Sequence, residues 1–169
     1  MANLTTLDAG FLELEDSDHH ISLAIGGVAI MEGPFPDFDV LCETIGARCS
    51  ASPGSRQVLR THPLDLTAPE WVQDKDFDLT HHVRRAALAH PGDDAALHAE
   101  IATIMERRLD RDRPLWECWV IEGLAQDRWA VLIKVHHALA DGIAAAHLLA
   151  GLCDDNNVET FASSIGAAT

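Results

Sequence analysis

Trp129-Ala130-Val131-Leu132-Ile133-Lys134-Val135-His136-His137-Ala138-Leu139-Ala140-Asp141-Gly142 is the stretch that decides the reading of this chain. Its first half alternates, with Trp129, Val131, Ile133 and Val135 on one face of an expected strand. The period of two carries that same face on to His137 at the strand end. After Gly142, the run Ile143-Ala144-Ala145-Ala146-His147-Leu148-Leu149 favours helix strongly. A strand therefore ends in two histidines, turns through an acid and a glycine, and re-enters the fold as a helix.

Working outward, Trp116 to Glu122 reads as a second strand, joined to Trp129–His136 by a short polar connection containing Gly123 and Asp127. The two runs predict an antiparallel hairpin. Upstream, Pro91-Gly92-Asp93-Asp94 forms a turn and cap, and Leu97, Ile101, Ile104, Met105 and Leu109 make one helical stripe, stopped by Arg111-Asp112-Arg113-Pro114. Val40, Leu41, Ile45 and Cys49 predict an earlier helix behind a cap at Asp37 or Asp39. Ile21 to Met31 alternates through Gly26-Gly27, which predicts a strand kinked or bulged at the glycine pair. Residues 50 to 80 read as mostly irregular chain with short strands, anchored by Trp71 and Phe77. The polar tail from Asp154 to Thr169 is expected to stand apart from a domain portion spanning residues 1–153.

Composition excludes several classes of function. The chain has 169 residues, 47% of them hydrophobic, enough to bury a core. A formal net charge of −15, from 27 acidic and 12 basic residues, would repel nucleic acid and disfavour charge-driven docking on an anionic bilayer. The apolar run Ile143–Leu152 is about half of the ~20 residues that a membrane-spanning helix needs. The opening Met1-Ala2-Asn3-Leu4 lacks a basic region followed by an apolar one, so a cytoplasmic location is expected, with at most peripheral contact to membranes or lipid inclusions. Cys42, Cys49, Cys118 and Cys153 have no paired spacing, and free thiols are the reading.

The chemistry lies in the histidines. A strand end holds an imidazole on a rigid element, and histidine has the ordinary pKa best placed to take and return a proton near neutrality. His137 is the candidate general base and His136 shapes the site. Asp141 reads as support that locks the turn through an ion pair with a distant arginine, and Gly142 permits a backbone path or ligand approach that a side chain would obstruct. A lone His-x-x-x-Asp is more often a satisfied buried pair than a catalytic one. A metal reading would combine His137 and Asp141 with His136, His81 and His82, but no zinc-ligand spacing is present. His19-His20 and His81-His82 read as surface or loop histidines, and Trp116, Trp119 and Trp129 as core aromatics.

His136-His137-Ala138-Leu139-Ala140-Asp141-Gly142 resembles the His-His-x-x-x-Asp-Gly motif of CoA-dependent acyltransferases. That group includes chloramphenicol acetyltransferase, plant acyltransferases, peptide-synthetase condensation domains and wax ester synthase/diacylglycerol acyltransferases. The flanks choose among them: Leu4-Thr5-Thr6-Leu7-Asp8-Ala9-Gly10-Phe11-Leu12 resembles the opening of the bacterial wax ester synthase/diacylglycerol acyltransferase family. Arg113-Pro114-Leu115-Trp116-Glu117 and Val120-Ile121-Glu122-Gly123-Leu124 resemble its segment before the motif strand.

The resemblance implies an α/β fold of the α+β two-layer sandwich kind, a chloramphenicol acetyltransferase-like half-domain with a mixed sheet and flanking helices. It implies transfer of a fatty acyl group from acyl-CoA, as co-substrate with no bound cofactor, to diacylglycerol or a long-chain alcohol, yielding triacylglycerol or wax ester. His137 would be the base and no covalent enzyme intermediate would form. It also implies a C-terminal half beyond Thr169 that closes a substrate tunnel, so the face of Trp129, Val131, Ile133 and Val135 is expected to need cover from that half or from self-association. Two alternatives stay open: a condensation or transacylase domain using carrier-protein thioesters, and an inactive half-domain binding lipid or a partner.

Overall fold

A computed structural model describes residues 6–50, 54–60 and 69–139. Ala140, Asp141, Gly142, the alanine-rich run from Ile143 and the tail from Asp154 lie outside the described residues, as does Cys153. In chain order the elements are α1 (Thr6–Ser17), β1 (Ala24–Glu32), α2 (Phe38–Ser50), β2 (Gln57–Arg60), β3 (Glu70–Gln73), β4 (Val83–Ala87), α3 (Asp94–Glu106), β5 (Trp116–Leu124) and β6 (Arg128–His136). A single 3-10 turn, Leu79–His81, precedes β4.

The main sheet has four strands in the order β1-β6-β5-β4. β6 pairs antiparallel with both β1 and β5, and β4 pairs parallel with β5, so the sheet is mixed, as expected. The β5–β6 hairpin is as its alternation predicts. Its turn places Gln126 and Asp127 at φ 66° and 53°, and the Asp127 carbonyl accepts from the Gly33 amide at the end of β1.

Period-two alternation divides the sheet between two cores. Trp116, Cys118, Val120, Trp129, Val131, Ile133 and Val135 face α2, where Ile45, Leu41 and Phe38 cover them. Trp119, Ile121, Ala130 and Leu132 face α3, against Leu97, Ile101, Ile104 and Met105. The expected helices flank the sheet, α2 against one face and α3 against the other. A third core closes the end of the sheet that carries the histidines: Leu12 of α1, Leu59 and Trp71 of the β2–β3 hairpin, Leu109, Leu115 and Ala138.

Several local expectations are corrected. The Trp129–Val135 face is buried within the chain by α2 and needs no second half to cover it. The exposed large apolar side chains among the described residues are Val28 (42%) and Ile30 (48%) of β1, which pair with Leu132 and Ala130 and so lie on the α3 side, with Leu14 of α1 and Val40 of α2. β1 begins at Ala24, three residues later than its alternation suggested, and its register with β6 is unbroken through Gly26-Gly27, so the glycines make no bulge. Gly26 is there because Met105 of α3 occupies the space: a Cβ would meet its Sδ at 2.9 Å.

α2 starts at the Asp37 cap, whose Oδ1 accepts from the Asp39 and Val40 amides. α3 is capped by Asp93, which accepts from the Ala96 amide, and it ends at Glu106, before Leu109. The ending comes from β6. The buried Lys134 ammonium donates to the Ile104 carbonyl at 2.7 Å and to the Arg107 carbonyl, filling acceptors that the last turn leaves orphaned.

The turn into α3 interlocks with β5. Gly92 has φ +65°, its carbonyl accepts from the Ala125 amide at 2.8 Å, and a Cβ there would lie 1.9 Å from the Gly123 carbonyl oxygen. Gly92→Ala therefore adds a backbone clash to left-handed strain. Chemical denaturation should register a loss of at least about 1–3 kcal/mol; an unchanged midpoint would show that this turn does not hold α3 to the hairpin.

Candidate functional site

β6 delivers the two histidines to the end of the sheet, and consecutive residues there meet different surroundings. The His136 amide donates to the Leu115 carbonyl at 3.0 Å, in line with the β5–β6 ladder. The His137 amide turns the other way and donates to the Leu23 carbonyl at 2.9 Å, just ahead of β1. His136 is 1% exposed, while His137 is half-buried.

The two nitrogens of the His136 ring meet different partners. Nδ1 accepts from the Ala138 amide at 3.0 Å, so in the neutral ring the proton sits on Nε2. Nε2 lies 3.4 Å from Oε2 of Glu15, close enough for electrostatic attraction but without the alignment of a full hydrogen bond. The His137 ring lies against Phe11 of α1, with centroids 4.2 Å apart and planes tilted by 32°.

Glu15, also on α1, is 1% exposed and is the acid around which this region is assembled. Its Oε1 accepts from the Leu23 amide at 3.1 Å. Its Oε2 accepts from Arg111 at 3.0 Å and lies 3.3 Å from Arg108. Arg111 also donates to the Leu12 carbonyl and to Asp16, and Arg108 to the Glu15 carbonyl, so both guanidiniums sit at the C-terminal end of α1, where its dipole favours cations. Burial alone would raise the Glu15 pKa, but the Leu23 amide, Arg111, His136 and Arg108 outweigh it and hold the carboxyl below its ordinary 4.5. Burial pushes His136 below its ordinary 6.5, with Glu15 opposing and Arg111 assisting.

Of the residues singled out in the sequence, the structure brings His136 and His137 to one strand end; Asp141 and Gly142 lie outside the described residues. His19 and His20 are exposed, as read. His82 is not a surface histidine: it is 2% exposed, stacks between Phe77 (5.0 Å) and Trp116 (4.6 Å), and its Nδ1 bonds the Trp116 carbonyl at 2.8 Å. Burial lowers its pKa below 6.5 despite that bond. Trp116, Trp119 and Trp129 are buried, as is Cys118, and Cys42 is a free thiol.

Among the described residues, no group of three or more His, Cys, Asp and Glu is arranged to hold a metal ion, and no helix is long and apolar enough to cross a membrane. A groove of about 550 Å³ between α2 and β4, lined by Phe38, Cys42, Leu79, Val83, Arg84 and Trp119 among others, includes neither motif histidine.

Sequence reasoning missed Glu15, Phe11 and Arg108, and it took Arg111 only for a helix stop. A signal existed: Asp8, Phe11, Leu12 and Glu15 recur at helical spacing, which puts an acid on the stripe that α1 buries.

The arrangement of sheet and helices is one that this chain shares with solved structures. The chain aligns with the first condensation domain of the calcium-dependent antibiotic synthetase at a TM-score of 0.71, over 88% of this chain and 35% of that one, at 16% identity, a likeness of fold alone. It aligns equally well (TM-score 0.71) with the wax ester synthase/diacylglycerol acyltransferase of Marinobacter aquaeolei VT8, at 33% identity over 86% of this chain and 37% of that one. The family model for the wax ester synthase/diacylglycerol acyltransferase catalytic domain matches residues 4–167, and the chain belongs to that family. A probable diacylglycerol O-acyltransferase of Mycobacterium tuberculosis, tgs1, is 56% identical over 165 residues, covering 98% of this chain and 36% of that protein. The chain thus spans about a third of the length of such relatives.

The buried imidazoles give stability a pH dependence. A group whose folded-state pKa lies below its unfolded value contributes stability above the unfolded value and loses it as pH falls. For His82 and His136 that loss starts as pH drops below about 6.5, and Glu15, shifted the same way, adds a second loss below about 4.5. The urea midpoint should fall measurably between about pH 7.5 and about pH 5.5; a flat midpoint across that window would mean that neither ring is buried neutral.

Proposed function

We propose that this chain supplies the His-His-x-x-x-Asp-Gly part of an O-acyltransferase that moves a fatty acyl group from acyl-CoA to diacylglycerol or a long-chain alcohol, making triacylglycerol or wax ester, with His137 as general base. The observation that carries the assignment of roles is the contrast between the two rings. His136 is buried, with Nδ1 bonded by the Ala138 amide and Nε2 turned to Glu15, whereas His137 is half-buried at the strand end, so His137 is the ring that a substrate can reach.

In this reading the His137 imidazole accepts the acceptor's hydroxyl proton as its oxygen attacks the thioester carbonyl. The tetrahedral species collapses to ester and CoA thiolate, and the imidazolium returns the proton to the leaving sulfur. Acyl-CoA plus alcohol gives ester plus CoA thiol, with no covalent enzyme intermediate. A well-placed base contributes about 10²–10⁴ in rate. Holding both substrates in one tunnel contributes more, about 7–11 kcal/mol in well-oriented cases, and a tunnel would involve the C-terminal portion that longer relatives carry. Asp141 and Gly142 are proposed to support the turn after His137. The name of the M. tuberculosis relative favours diacylglycerol as acceptor.

The test is acyl transfer from a long-chain acyl-CoA to diacylglycerol by this chain combined with the C-terminal portion of tgs1. His137→Ala should remove turnover by about 10² or more, and His136→Ala should leave a measurable remnant. Equal loss from both changes would refute the roles, and preference for a carrier-protein thioester over acyl-CoA would refute the donor.

A further inference from the structure

The residue that the proposed chemistry needs is held from a helix that belongs to neither the strand nor the turn of the motif. Phe11 and Glu15 lie one helical turn apart on α1, so they project from the same face. The Phe11 ring covers one side of the His137 imidazole at 4.2 Å. The Glu15 carboxylate approaches the surroundings of His137 through two other residues. Its Oε1 accepts from the Leu23 amide, and the carbonyl of the same residue accepts from the His137 amide. Through Oε2 it faces the His136 ring, whose other nitrogen accepts the Ala138 amide.

We infer that Phe11 and Glu15 are positioning residues for His137: the carboxylate fixes the backbone from which the imidazole projects, and the aromatic ring restricts its orientation. This rests on His137 being the base of the proposed acyl transfer. Neither side chain is required to touch substrate; Glu15 acts through Leu23 and His136. Burying a carboxylate among partners is a costly way to join α1 to the sheet, which Leu12 already does through the apolar core at that end. The arrangement gains something that packing cannot supply, since one charged group with two oxygens holds the Leu23 amide with one and attracts the His136 ring with the other. A base displaced by about 1 Å can lose about 10² in rate.

Glu15→Gln keeps the shape and an oxygen for the Leu23 amide but loses the charge that faces His136, Arg108 and Arg111. Phe11→Leu keeps apolar volume and loses the ring. In the 169-residue chain with isotope-labelled histidine, Glu15→Gln should speed solvent exchange of the His137 amide by about tenfold, and Phe11→Leu should displace the His137 ring-proton resonances by removing the neighbouring ring current. With the C-terminal portion of tgs1 added, each variant should lower kcat about 10–100-fold, the range found for residues that orient an active group from behind. KM for either substrate should stay within about twofold.

Ile104→Val, a change in the α3 core that costs about 0.5–1.5 kcal/mol, should leave kcat and the His137 signals in place, which separates positioning from a general loss of stability. Unmoved His137 signals with near-normal kcat in both α1 variants would overturn the inference, as would a raised KM at unchanged kcat. Absence of transfer from the unmodified chain so supplemented would overturn the acyl-transfer reading, and the exchange and resonance changes would then decide the geometry alone.

Discussion

A carboxylate removed from water must be met by donors or charges at each oxygen, or the surrounding chain does better by moving. Glu15 is 1% exposed, and its four partners come from three separate places: the Leu23 amide before β1, Arg108 and Arg111 after α3, and the His136 ring at the end of β6. The same segments also meet in the apolar core at this end of the sheet, and the carboxylate adds a polar requirement to that packing. The register of β6 against β1 and β5, the docking of α1 and the path of the chain after His136 all have to agree for this one group to be satisfied.

That constraint explains why neighbouring histidines have such different surroundings. Strand alternation turns successive residues to opposite faces, and β6 lies between two other strands, so both of its faces are covered, by α2 on one side and α3 on the other. At the end of the strand the covering elements change. α1 and the β2–β3 hairpin take over, and they enclose His136 while leaving His137 half-buried beside Phe11. A rigid, fully paired central strand ending in a partly open ring is a suitable foundation for a base, because the strand is not free to shift when the ring changes charge.

Much of this was legible in the sequence, for identifiable reasons. Alternation over Trp129–Val135 and the helical stripe from Leu97 to Met105 are local signals, each repeated over several residues, and the structure keeps both. The His-His pair carried a family resemblance that the flanking segments made specific. What could not be read depends on distant partners. The end of α3 at Glu106 is set by Lys134 on β6, a residue that in sequence is only a polar position in a strand. The glycines of β1 looked like a bend because nothing local reveals that Met105 lies above Gly26. His82 looked like a surface residue because its two aromatic neighbours, Phe77 and Trp116, come together only in the fold. Glu15 is the sharpest case: an acid in an acidic chain, close to Glu13, Asp16 and Asp18, is set apart from them only by its place on the helical stripe that α1 buries.

The central claim is that His136 is a neutral, buried support whose Nε2–H faces Glu15, leaving His137 as the accessible ring. Nitrogen chemical shifts of the His136 imidazole test this directly, because protonated and unprotonated ring nitrogens resonate far apart. The account predicts a proton on Nε2 and none on Nδ1, unchanged as pH is lowered to the ordinary imidazole pKa of 6.5, because burial holds His136 below that value. A His136 ring with its proton on Nδ1, or one that becomes doubly protonated above pH 6.5, would contradict it.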